Sequence, residues 1–311
     1  MQPLVTPPVP PPSTLESVLS SLKPVIPIPV LLVVLAGLWW FFRDTWKELD
    51  DDATYWRAQA AGSGKTDLRP LVALVTCAFV LTLQEYYGVR SYFDQAIRPL
   101  LARLDVAHPT RIKLYKYDEL YGFGWWVFTR FTGYVAPFAV WKVAFPGDSL
   151  LDMGLRVRGF FSHAWIYGLF VVVLVPILVF VSREPDFGAY YPFYKMASRS
   201  WLDLLAWEAM YFLQFFGLEM FFRGFWLGAL RRSFGSGAIF SMAVPYCMIH
   251  FGKPFFEVPG AILAGIALGS LSMKTKSIYQ GFLVHITIAG LMDWLTLWRH
   301  HALPTVFRAP G

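Results

Sequence analysis

The stretch AWIYGLFVVVLVPILVFV, Ala164 to Val181, runs for eighteen residues without a charge. At about 1.5 Å per residue, that is close to the roughly 20 residues a helix needs to cross about 30 Å of hydrocarbon. Val25 to Phe42 is a second uncharged run of equal length. Six less pure candidates follow the same logic: Leu71 to Tyr87, Gly122 to Val143 with Arg130 inside, Leu202 to about Arg231, Gly237 to Gly252, Val258 to Met273 and Ser277 to Leu297. Together they predict an all-α fold, a polytopic membrane helix bundle with about eight transmembrane helices.

Composition points the same way. Of 311 residues, 56% are hydrophobic, 18% aromatic and only 15% charged, more apolar surface than a soluble core can hide. The net charge of +6 is spread over loops with no Lys/Arg block among aromatics, which suits an anionic lipid surface and argues against nucleic acid. Cys77 and Cys247 fall in different spans and form neither a paired framework nor a Cys-x-x-Cys knuckle. Cys247 precedes His250 by three residues, yet reads as a small packing residue.

The expected organisation has four parts. Residues 1–24 form a Pro-rich tail carrying Pro7-Pro8-Val9-Pro10-Pro11-Pro12, with no basic segment before an apolar core and hence no cleaved signal. Residues 25–199 hold the first transmembrane helices and their loops, 200–298 a helical core, and 299–311 a short tail. Arg43 to Arg69, with Asp50-Asp51-Asp52 and Gly62-Ser63-Gly64, reads as a solvated connection. Gly88 to Glu119 has apolar residues at helical spacing among Arg98, Arg103 and Arg111, as in an amphipathic helix lying on the membrane. Arg231-Arg232 and Lys274/Lys276 flank their spans tightly, which places those loops in the cytoplasm.

Against this apolar background, Glu219, Arg223, His250 and His285 stand out, because ionisable groups at membrane depth are expensive and mark a working site by default. Around the hairpin Ser233 to Ser236, Glu219 lies twelve residues before Arg231, or roughly 18 Å up its helix. His250 lies thirteen after Gly237, or roughly 20 Å, and His285 nine after Lys276, or roughly 14 Å. Three helices therefore deliver Glu, His and His to one layer. Arg223, four residues after Glu219, shares its helical face and offsets the cost of burying the carboxylate. A structural ion pair or helix-to-helix hydrogen bonds are the plainer readings. Glu208 and His163 are expected at interfacial positions, Asp293 near the far membrane surface, and Arg130 paired with one of the acids.

The segment Leu218-Glu219-Met220-Phe221-Phe222-Arg223-Gly224-Phe225 resembles the E-E-x-x-x-R motif of the CPBP family, the CAAX prenyl endopeptidase, bacteriocin-processing and abortive-infection-like membrane proteins. Tyr246-Cys247-Met248-Ile249-His250 resembles its F-x-x-x-H motif, with Tyr for Phe. His285-Ile286-Thr287-Ile288-Ala289 resembles its H-x-x-x-N/D motif. The likeness covers about Trp201 to Trp298. It departs at Leu218, where the family has the Glu assigned to activating water, and at Ala289, where it has Asn or Asp.

The resemblance implies an intramembrane endopeptidase acting on a membrane-borne or lipidated peptide. In that reading Glu219, Arg223, His250 and His285 are catalytic, and Glu219, His250 and His285 either bind Zn²⁺ or orient water without it. No His-Glu-x-x-His or Gly-x-Gly-Asp offers another protease chemistry. The departures leave room for an inactive scaffold or immunity protein of the same fold, and Arg130, Glu208 and Glu219 for a transport path. Expected partners are membrane lipids and a lipidated substrate, and the expected location is a bacterial inner (cell) membrane.

Overall fold

The computed structural model describes residue 25 and residues 27–64, 66–157, 160–161 and 163–309, so the tail expected over 1–24 lies outside the described residues. Helices dominate, and among the described residues the sole β-type pairing is an isolated bridge between Leu155 and Ser277. The expected spans appear as α1 (Pro27–Ser63), α2 (Arg69–Tyr87), α3 (Leu114–Ala144), α4 (Ala164–Val181), α5 (Trp201–Glu219), α6 (Leu227–Phe234), α7 (Gly237–Met248), α8 (Glu257–Thr275) and α9 (Tyr279–Arg299). Among them α1, α2, α4, α8 and α9 are long and apolar enough to cross a membrane. The chain is an integral membrane helix bundle.

Two elements differ from the reading of the sequence. First, Arg43 to Ser63 is not a loop but the continuation of α1, a helix of 37 residues or about 55 Å. Its polar half is held by Thr45, Leu49 and Ala53, one buried row at four-residue spacing on the side where α1 packs along α6. Asp50 fastens the contact: Oδ1 accepts from the Ser236 backbone N–H at 2.7 Å and Oδ2 from its hydroxyl at 3.1 Å. Gly235, with φ +58°, turns the chain between α6 and α7, and an added Cβ would collide with Asp50.

Second, α5 and α6 are one continuous rod interrupted by a π-helical turn over Met220–Trp226. Such single-turn bulges insert a residue and re-aim side chains, often at functional sites. Phe221, Phe222, Phe225 and Trp226 from this turn are buried with Tyr134, Phe138 and Trp141 of α3. Since lipid is as apolar as these rings, their contribution comes from close packing rather than from escape from water.

Between Gly88 and Glu119 the chain forms short helical pieces, including Arg98–Ala107 with Leu100 and Leu104 exposed. Arg90 and Arg98 both pair with Asp118, which anchors this amphipathic stretch to the start of α3. Arg231 and Lys276 line one cleft with Asp152 and Arg156, so the two charged turns lie at the same end of the bundle.

Candidate active site

Glu219 closes α5 where the π turn begins, and its side chain and that of Arg223 are both fully buried. Nη1 of Arg223 is 3.1 Å from Oε1 of Glu219. From α9, His285 brings Nδ1 to 2.8 Å from the same oxygen. Yet neither Glu219 oxygen, no Arg223 nitrogen and not His285 Nδ1 has a hydrogen bond of good geometry. Ion-pair distances without in-line hydrogen bonds leave six polar atoms in a buried cluster with unused bonding capacity, which is what a held water satisfies.

Tyr246 of α7 joins the rest of the site. Its hydroxyl is 2.8 Å from Nε2 of His285, and its ring lies under Arg223, whose Cζ is 4.0 Å from the ring centroid. Desolvated contact of a guanidinium with an aromatic face helps hold the cation where no water can. The Tyr246 backbone carbonyl accepts from Nδ1 of His250 at 2.8 Å, so His250 presents Nε2 away from its own helix turn. Phe215 stacks on the His285 imidazole at 5.0 Å and 13°, fixing its plane. Gly281, one turn before His285, lets the Glu219 carboxylate press against the α9 backbone, where any Cβ would overlap it.

The structure thus brings Glu219, Arg223 and His285 into contact, and attaches His250 to them through Tyr246 rather than directly. The zinc site expected from Glu219, His250 and His285 does not fit this donor set. His285 turns one nitrogen to Glu219 and the other to Tyr246, His250 commits Nδ1 to a carbonyl, and a guanidinium already occupies the carboxylate's flank. Among the described residues, no three His, Cys, Asp or Glu side chains gather as metal ligands.

Of the other residues singled out in the sequence, Arg130 stands elsewhere than expected. Asp293 is fully buried within the bundle and accepts from the Trp207 indole N–H at 2.6 Å. Glu208 is close to Gly290 of α9, where a Cβ would stand 4.0 Å from its Oε2. Arg130 donates to the Gln84 amide oxygen at 3.0 Å, and no ion pair joins it to either acid. Cys247 points its thiol to the Val258 carbonyl, away from catalysis. Leu218 is buried in the apolar cluster of α3 and the π turn, and Ala289 in the one around Trp207. Tyr246 and Gly281 were not singled out in sequence as site residues. Their signals were a hydroxyl added where the motif has Phe, and a glycine one turn before a buried histidine.

Comparison with curated proteins and with solved structures gives no significant match. Residues 200–291 match the family model described as type II CAAX prenyl endopeptidase Rce1-like, a segment that runs from the start of α5 into α9 and contains every residue of the cluster. Over that segment the chain is similar to the Rce1-like type II CAAX prenyl endopeptidases.

Proposed function

We propose that this chain hydrolyses a peptide bond of a lipidated or membrane-borne substrate with a water activated by Glu219, without a metal ion. One observation carries the reading: a fully buried carboxylate has an arginine and a histidine within 3.1 and 2.8 Å, yet both its oxygens lack a well-formed hydrogen bond. A water bound there loses a proton to Glu219, and its oxygen attacks the scissile carbonyl. The proton then passes to the departing amine, so that water and peptide yield a carboxylic acid and an amine.

Arg223 offsets the charge of Glu219 before and after the transfer. His285 is steadied by Phe215 and Tyr246, and His250, with its Nδ1–H on the Tyr246 carbonyl, offers an Nε2 lone pair able to take up and return a proton during the reaction. Positive-flanked turns and apolar spans accord with a bacterial inner membrane as its location.

A second reading is favoured by the burial of Leu218 and Ala289 in apolar clusters, at positions where the motifs they resemble carry Glu and Asn or Asp. In it the chain keeps the fold as an inactive scaffold or immunity protein that binds a lipidated peptide. Cleavage of a farnesylated CAAX-ended peptide by purified wild type, abolished in Glu219→Gln, supports the hydrolase. Binding of that peptide without cleavage, unaffected by Glu219→Gln, supports the scaffold.

A further inference from the structure

At the end of the bundle marked by Arg231 and Lys276, a second cavity opens that has no part in the chemistry above. It lies between the polar end of α1, the entry of α2, the exit of α3 and the last turn of α6, and encloses about 550 Å³. Its cations are Arg57, Arg69 and Arg232. Arg69 is spoken for, with Nε and Nη2 on the two oxygens of Asp148, both at 3.0 Å, and Nη1 near Asp67 at 3.3 Å. Arg57 and Arg232 are different. Arg57 donates to the neutral hydroxyl of Thr54, Arg232 lies with Cζ 4.3 Å from the Trp56 ring centroid, and neither has a carboxylate within ion-pair distance among the described residues.

We propose that this cleft binds the phosphate of an anionic phospholipid headgroup. Two guanidinium groups line one cavity without a carboxylate of their own within ion-pair distance among the described residues, since Asp67 and Asp148 are held by Arg69, and a guanidinium fork matches phosphate oxygens in geometry and charge. Trp56 holds the Arg232 plane in place by a cation–π contact, so that donor is ordered before the ligand arrives. The remaining lining mixes polar Thr66 and Ser233 with apolar Leu68, Ala60 and Phe145, which suits a molecule that is polar at one end and apolar at the other. Position completes the match. Arg69 opens a membrane-crossing helix and Phe145 follows the last residue of α3, so the cleft lies at headgroup level, and Leu68 and Leu71 beside it are exposed as lipid-facing residues are.

The test uses the full-length chain in detergent, titrated with short-chain phosphatidylglycerol, with phosphatidylcholine of the same acyl chains and with inorganic phosphate, and read by native mass spectrometry and thermal shift. Phosphatidylglycerol is expected to bind and to raise the melting temperature. Removing one charge as Arg57→Gln or Arg232→Gln weakens it about fivefold, and removing both weakens it about thirtyfold. Arg57→Lys/Arg232→Lys, which keeps the charge, recovers most of the binding and guards against a folding artefact. Equal binding of the two lipids, or unchanged phosphatidylglycerol affinity in the double Gln variant, overturns the proposal. So does inorganic phosphate binding as tightly as the lipid, which would make this a free-anion site.

Discussion

Nδ1 of His285 stands 2.8 Å from Oε1 of Glu219, although the two side chains come from separate membrane-embedded helices and the carboxylate already faces Arg223. A contact this close between buried polar groups is costly unless something else completes their bonding, and the site is built around that incompleteness.

Tyr246 is the hub, so removing one oxygen atom tests its role. Tyr246→Phe keeps the ring beneath Arg223 and the backbone carbonyl that holds His250, and deletes only the bond to His285 Nε2. Losing a single neutral hydrogen bond costs about 1 kcal/mol of stability. The peptidase rate is expected to fall about tenfold or more, in kcat rather than KM, because the His285 ring loses an orienting partner. Steady-state kinetics on the farnesylated peptide, beside a melting curve, measures both.

Gly281→Ala probes the approach of α9 to Glu219. Alanine favours a helix over glycine by about 1 kcal/mol, which alone would stabilise α9. Here the new methyl overlaps the carboxylate, and overpacking of this kind costs about 1–3 kcal/mol. The clash wins: the variant should melt at or below wild type and lose most of its activity as Glu219 is displaced. Higher stability with full activity would show that the carboxylate does not rest on this glycine.

The apolar runs made the bundle legible, because a helix that must hide every backbone polar group in lipid leaves a strong signal in composition. Depth counting also brought Glu219 and His285 to one level correctly. It failed where height along an axis is not enough. The π turn after Glu219 shifts the register beyond any regular helical count, and it has no marker in the sequence Met220–Trp226. Height along α9 also says nothing of facing: Asp293 turns inward and is buried against Trp207. The polar half of α1 read as a loop because its charges face water, while the buried row Thr45, Leu49 and Ala53 is too narrow to stand out.

Metal dependence separates two chemistries for the same four residues. With both His285 nitrogens turned to protein groups, the account expects excess EDTA or phenanthroline to leave activity unchanged, and metal analysis of the purified protein to find no stoichiometric zinc. Loss of activity on chelation, restored by zinc, would require His285 to rotate away from Tyr246.

Outside the membrane, Arg69 beside Asp148 holds that carboxyl below the usual carboxylate range. A depressed folded value means the pair stabilises the protein above the unfolded carboxylate's range, and that contribution disappears as pH falls through the folded value. Both groups are partly exposed, so the effect is no more than about 1 kcal/mol. Asp148→Asn should lower the melting temperature slightly at pH 7, and the difference from wild type should shrink as pH falls below the unfolded carboxylate's range and disappear below the folded value.

The most direct measurement is the cleavage rate of a farnesylated CAAX-ended peptide by purified wild type and by Glu219→Gln, an exchange that keeps size and removes the base. The account predicts cleavage by wild type and a loss of about a hundredfold or more in Glu219→Gln, with unchanged elution and melting behaviour. Equal rates in the two proteins would contradict it, because the peptide would then be cut without the carboxylate on which the whole site is arranged.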